Sequence, residues 1–222
     1  ELQMVILCYK IMLGALAVQL QKSVFEMLRR LEKKRLGGDE LEAITEFCCK
    51  ELGRNFSKDY LKLSPQGKRQ ELLWHLDRPM RICGMVRNEG EPGGAPFWVR
   101  EEDGSKTLQI VESAHVNQRH PSQKNIWSKA SYFNPVDMVC CTKNYRGKKF
   151  NLMDYVNRNA YLIIAKTEKG RRLKAQELPG LWNGGMAYWN TVFVELPLIV
   201  FNPVKTVYDL LRPQHRGVTR FK

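Results

Sequence analysis

Between residues 10 and 35, Leu13, Leu16, Leu20, Val24, Leu28 and Leu31 recur every three or four positions. That step places them on one face of an α-helix. Gln19, Lys22, Glu26, Arg29, Arg30 and Lys33 take the opposite face, and Gly37-Gly38 ends the run. A second helix is expected from Asp39, with Glu42 three residues on in a capping-box-like pattern. Leu41, Ile44, Phe47 and Cys48 form its inner side, and Gly53 stops it. Ser64-Pro65 opens a third helix with proline at its first position, and Leu72, Leu73 and Leu76 are its apolar side. Residues 1–77 are therefore predicted to be a segment of three helices.

From Arg78 the pattern changes to short apolar runs separated by turn residues. Met80 to Val86 reads as a strand, and Asn88 to Pro96 as a Gly/Pro-rich loop. Phe97 to Arg100 and Thr107 to Ser113 flank Asp103-Gly104, which predicts a hairpin. Further strands are expected at Val136 to Thr142, Tyr161 to Thr167 and Thr191 to Leu196, with a turn over Glu168 to Arg171. Asn202-Pro203 is expected to cap a last short helix through Leu211, closed by Pro213. Three helices followed by a mixed set of strands define a mixed α/β class, divided into a helical segment 1–77 and a strand/helix portion 78–222. The βαβ alternation of a complete doubly wound domain is absent from the pattern.

Composition adds to this. The chain has 222 residues, enough for one sizeable domain with a helical attachment. Thirty-six basic against 23 acidic residues leave a formal charge of +13, which attracts polyanions at long range. The densest basic groups are Arg29 to Arg35, Lys143 to Lys149 and Lys166 to Lys174. They are scattered, so a solvated basic surface fits them as well as an anion-binding one does. None of the six cysteines falls in a C-x-x-C, and Cys48-Cys49 and Cys140-Cys141 are adjacent pairs. Most sit in apolar stretches and are read as reduced, buried small hydrophobes of a cytoplasmic protein. Met4 to Leu20 is apolar, but Lys10 interrupts it and no basic region precedes it, so neither a signal peptide nor a membrane partner is expected. A start at Glu1, inside an apolar periodic segment, leads to the expectation that the natural chain begins further upstream.

Five segments carry candidate chemistry. Gly93-Gly94 lets backbone come close to a ligand and present free N–H groups to a phosphate or sugar, or it is only a turn. Glu112 ends the apolar face of Leu108 and Ile110; it meets either a sugar hydroxyl, a metal or an arginine, or water. Asn134 can donate and accept to a sugar at once, and also suits a turn before Pro135. Trp182 and Trp189, beside Asn183 and Gly-Gly, suit stacking on a ligand or a place in the core. Lys205, placed in the first turn of the last helix, would strengthen a phosphate site there, or is an exposed surface lysine. His115 and His120 lie in a loop and are read as solvated, and no histidine stands in a catalytic triad.

Taken in order, Arg78-Pro-Met-Arg-Ile-Cys-Gly-Met-Val-Arg-Asn-Glu-Gly-Glu-Pro-Gly-Gly, Leu108-Gln-Ile-Val-Glu-Ser, Phe133-Asn-Pro-Val-Asp, Glu177-Leu-Pro-Gly-Leu-Trp-Asn-Gly and Phe201-Asn-Pro-Val-Lys resemble one bacterial family, domain-of-unknown-function family 4301. That family in turn resembles UDP-sugar pyrophosphorylases, whose later halves carry a Gly-Gly turn, a Leu-x-x-Glu strand, a Phe-Asn turn and a Pro-Val-Lys segment. The resemblance implies the later half of a nucleotidyltransferase (GT-A-like) fold, with sugar phosphate and nucleotide as partners. Gly93, Gly94, Glu112 and Asn134 would bind substrate, and Lys205 would act on the phosphates as the catalytic residue. It also implies Mg²⁺, with ligands outside this chain, and a missing amino-terminal half without which the chain is inactive. Pro135-Val136 stands where those enzymes carry an Asn-rich run. A non-enzymatic basic module for nucleotide, nucleic acid or protein, and a degenerate relative without activity, are the competing expectations.

Overall fold

The computed structural model describes residues 2–33, 36–90, 93–180 and 184–216. Expectations on Glu1, Arg35, Trp182 and Asn183 lie outside the described residues. The first helix, α1, spans Leu2–Leu31 and starts eight positions before its predicted beginning. Of the expected periodic face Leu13, Leu20, Val24, Leu28 and Leu31 are buried, together with Ala17, while Leu16 is half-buried at its margin. Lys10 does not interrupt the helix, because its ammonium reaches Asp137 at 3.3 Å while the backbone runs on. Met4, Leu7, Ile11, Met12 and Val18 are exposed on the outer side. By length and composition this helix could cross a membrane, but its inner face belongs to the protein core.

Helix α2 covers Gly38–Glu51, with Gly37 at the cap position and no side-chain cap. The expected Asp39–Glu42 capping box is therefore not formed. Arg54 N–H donates to the Cys48 carbonyl after Gly53 turns the chain at φ +59, a left-handed conformation that glycine adopts without strain. A short helix unforeseen in the pattern, α3 (Lys58–Lys62), is capped by Ser57. In α4 (Pro65–Leu76) Ser64 accepts from Gly67 N–H at 3.2 Å, as the Ser-Pro pair predicts.

The strands are β1 (Met80–Met85), β2 (Gly94–Arg100), β3 (Lys106–Glu112), β4 (Asp137–Cys141), β5 (Leu162–Glu168), β6 (Arg171–Glu177) and β7 (Asn190–Glu195). A fifth helix, α5 (Pro121–Ser128), precedes β4. The main sheet has the order β4-β1-β7: β1 pairs antiparallel with β4 and parallel with β7, so the sheet is mixed. All six residues of β1 are buried, as expected of a central strand covered on both faces. β2–β3 and β5–β6 are separate antiparallel hairpins. Residues of α1, α2, α4, β1 and the β7 end share one apolar cluster, including Leu28, Ile44, Leu72, Ile82 and Leu196. The mixed α/β expectation holds.

Three further expectations need correction. The last helix is a 3₁₀ turn, Val207–Leu211, capped by Thr206 instead of Asn202. Of the six cysteines only Cys48 and Cys83 are buried; Cys8, Cys49 and Cys140 are exposed, because the apolar runs that hold them also have an outer side. Burial pushes the Cys48 and Cys83 thiols up to about 12, so both stay protonated at neutral pH. His115 is half-buried instead of solvated, and neither of its ring nitrogens has a hydrogen-bond partner.

Candidate functional site

β1 ends at Met85, and the chain beyond it is held by two neighbours. Leu196 N–H donates to Met85 carbonyl at 2.7 Å from the end of β7. Phe133 N–H donates to Val86 carbonyl and Val136 N–H to Gly84 carbonyl, both at 2.9 Å. Between these two bonds, positions 133 to 136 advance three residues while 86 to 84 advance two. The additional residue makes a local bulge of the kind that re-aims a side chain. Pro135 fits there because the flanking N–H groups carry the pairing and none is needed from it. The side chain so aimed is Asn134.

Asn134 meets the start of the β2–β3 hairpin. Gly94 pairs with Glu112 in that ladder. A Cβ on Gly94 would lie 2.5 Å from Asn134 Oδ1, 2.8 Å from Val111 carbonyl O and 3.2 Å from Glu112 Cγ. A Cβ on Gly93 would lie 2.6 Å from Phe133 Cε2 and 3.1 Å from Asn134 Nδ2. Gly93, Gly94, Glu112 and Asn134, up to 41 positions apart in sequence, thus form one cradle that only glycine backbone can enter so closely. Asn134 Oδ1 is buried without a partner, an acceptor left over inside the cradle.

Lys205 stands on a different segment. Phe201, four positions earlier, packs on Phe133 with ring centroids 5.3 Å apart, which ties this segment to the Phe-Asn turn. Lys205 lies before the 3₁₀ turn and not in a helical first turn. Its backbone N–H donates to Asp209 Oδ2 at 2.9 Å, and Thr206 N–H donates to the same oxygen at 2.7 Å. The backbone bonds from Thr206 and then Lys205 hold the Asp209 carboxyl below its usual range. That carboxylate occupies the turn's positive end, so an anion-binding helix terminus is not what Lys205 would use. Its side chain is exposed.

Beside this segment a cavity of about 320 Å³ is lined by Arg87, Glu89, Phe201, Asn202, Pro203 and Arg212 among others. It lies beyond the carboxyl ends of β1 and β7, the position where open α/β sheets place ligands. At its edge Tyr132 hydroxyl donates to Glu195 at 2.6 Å and Arg87 Nε donates to the other Glu195 oxygen at 3.2 Å. The Tyr132 bond and Arg87 hold the Glu195 carboxyl below its usual range. Sequence reading missed Arg87, Tyr132 and Glu195, because the parallel register of β1 and β7 brings Glu195 to the end of β1 and an antiparallel bridge sets Tyr132 beside Arg87. Trp189 is buried, and so belongs to the core side of the two readings given for it.

Among the described residues no three His, Cys, Asp or Glu side chains are grouped as a metal site. Mg²⁺ usually takes only one or two carboxylates beside phosphate oxygens and water, and Glu112 is the single carboxylate among the four cradle residues.

The chain combines a mixed α/β fold with a Gly-Gly cradle where the β2–β3 hairpin meets the Phe133-Asn134 turn. The chain belongs to the family described as a domain of unknown function (DUF4301), whose profile matches residues 1–216. Among solved structures it is similar to two point mutants of UDP-glucose pyrophosphorylase from Leishmania major, both in complex with UDP-glucose. The first has 18% identity and a TM-score of 0.40. The second has 19% identity and a TM-score of 0.39. A third mutant of that enzyme has 17% identity and a TM-score of 0.36. The matches cover 68%, 68% and 65% of this chain, which spans 40%, 40% and 33% of those chains. No curated protein matches the chain.

Proposed function

We propose that this chain forms the sugar-phosphate-binding part of a protein that transfers a nucleotidyl group to a sugar 1-phosphate. The observation that carries the reading is the convergence of Gly93, Gly94, Glu112 and Asn134 in one cradle with an unmatched buried acceptor. Those four residues are also the ones that the family's resemblance to UDP-sugar pyrophosphorylases selects. Backbone at Gly93 and Gly94 approaches the sugar, and Glu112 and Asn134 bond its hydroxyls. A phosphate oxygen of the sugar 1-phosphate forms a bond to the α-phosphorus of a nucleoside triphosphate, while the bond from that phosphorus to the pyrophosphate oxygen breaks. Such chemistry depends on positioning and charge neutralisation more than on a covalent nucleophile. Lys205 offsets charge on the phosphates, and losing one such contact costs about 10²–10³ in rate. The same arrangement without the remaining portion of such an enzyme would bind and not turn over.

A ligand-induced thermal shift tests the reading. Glucose 1-phosphate and UDP-glucose should raise the melting temperature of the protein by several degrees, and Asn134→Ala should abolish the rise. A folded protein that responds to neither ligand sinks it. One observation favours a second reading, an anion-binding surface without catalysis. The β5–β6 hairpin carries Lys166, Lys169, Arg171, Arg172 and Lys174 and is exposed along most of both strands. Nucleic-acid binding that falls steeply with salt, with no response to sugar phosphates, would select that reading.

A further inference from the structure

Sequence alone makes His115 a solvated loop residue, yet both of its ring nitrogens are shielded from solvent and unpartnered. A neutral imidazole has one donor and one acceptor, and leaving both unmatched is costly. His115 lines a cavity of about 270 Å³ between the β2–β3 hairpin and the loops at 157–160 and 184–187. One wall of this cavity is a close approach of Gly184 to the loop at 157–160. Gly184 has φ +108, and a Cβ there would lie 2.5 Å from Ala160 Cβ and 3.1 Å from Asn157 carbonyl O.

The walls specify a chemistry. Val99, Ile110, Val111 and Ala187 supply aliphatic surface, and among the described lining residues there is no Phe, Tyr or Trp. Glu101, Gln109 and Asn157 add hydrogen-bonding groups, and among the described lining residues Glu101 is the only acid and there is no lysine or arginine to hold an anion. One Glu101 oxygen already accepts from Thr107 hydroxyl at 2.5 Å, which fixes that carboxylate. Small-molecule pockets usually run from about 300 to 1,000 Å³, so this one suits a single ring. A compact molecule with C–H faces and a rim of hydroxyls matches aliphatic walls with convergent polar groups.

We propose that this cavity binds the ring of a neutral polyol, a pyranose or cyclitol, and that His115 recognises it by one donated and one accepted hydrogen bond. The site goes beyond the nucleotidyl-transfer reading and stands without it.

The test uses the 222-residue protein with ¹⁵N-labelled histidine rings, titrated with glucose and with myo-inositol. His75, His120 and His215 are internal controls. At least one polyol should shift the His115 ring resonances and leave the other three in place. Ala187→Leu, which fills the cavity, should abolish the shift. Calorimetry on His115→Ala should show binding weakened about tenfold or more, as expected for lost hydrogen bonds. No His115 response to either polyol, or unchanged affinity in His115→Ala, overturns the proposal. If Ala187→Leu does not fold, the His115→Ala affinity decides alone. The failures are separable: glucose 1-phosphate binding that depends on Asn134 and ignores His115 would retain the cradle and reject this site.

Discussion

Gly94→Ala is the sharpest structural perturbation that the cradle offers. The added methyl would sit 2.8 Å from the Val111 carbonyl and 2.5 Å from Asn134 Oδ1, where ordinary contact begins at 3.4 Å. The Asn134 amide can rotate away, but the Val111 carbonyl is backbone of the paired strand β3 and must move by about 0.6 Å, the difference of the two distances. Overpacking of this kind costs about 1–3 kcal/mol. For a domain of this size each kcal/mol lowers the melting temperature by about 2–4 °C. Calorimetry or urea denaturation should therefore show a loss of about 2–12 °C, with sugar-phosphate binding reduced beyond what stability explains. Gly14→Ala provides the opposite control. Nothing lies within 4 Å of its added Cβ, in the middle of α1. It should stabilise by about 0.5–1 kcal/mol through the usual glycine-to-alanine gain in a helix. A Gly94→Ala protein as stable as the parent, with its ligand response intact, would refute the close approach on which the cradle rests.

Arg81 on β1 is fully buried, donates through Nε to Thr191 Oγ1 at 2.9 Å and leaves both Nη groups without partners. Arg81→Met should therefore be neutral or stabilising by about 1–4 kcal/mol in denaturant titration; a strong loss would show that the guanidinium has a partner. Burial first, and then Arg54 and Arg78, push His75 down to about 2 in the folded state, although Glu71 faces it at 3.5 Å. The unfolded chain binds this proton below about 6.5, so stability is full above that pH and falls as pH drops from 6.5 towards 2, by up to about 1.4 kcal/mol per unit. His75→Gln should flatten that slope between pH 6 and 4, and an unchanged slope would contradict the assignment. Asp209→Asn should raise the amide exchange of Lys205 and Thr206, whose N–H groups the carboxylate receives. Unaltered exchange at both would mean that the loop is held by other contacts.

How far the sequence reached depends on what each feature rests on. The buried face of α1, the Ser64-Pro65 start of α4 and the hairpin at Asp103-Gly104 follow from local periodicity and turn chemistry, and all three appear as expected. β6 was missed because Arg171–Glu177 is polar and exposed along most of its length; its strand state comes from pairing with β5. α3 is five residues long and α5 buries no side chain, so neither leaves a periodic signal. The cradle was legible only through ordered motifs shared with a family, since spacing alone does not bring residue 134 to residue 94. The bulge that aims Asn134 depends on hydrogen bonds to Val86 and Gly84, which no local pattern encodes. Asn202-Pro203 is a strong helix-start signal that puts Lys205 in a first turn, but Thr206 and Asp209 form the capping box that sets the start. His115 left no signal at all, because its burial comes from packing between segments distant in sequence.

The central claim is that Gly93, Gly94, Glu112 and Asn134 act as one sugar-phosphate site. The most direct measurement is an amide and side-chain NMR titration with glucose 1-phosphate. The account predicts that the Gly93, Gly94 and Glu112 amides and the Asn134 side-chain amide shift together, with one affinity, and that Asn134→Ala removes the response of the others. Binding that shifts other residues and leaves these four unmoved would contradict it.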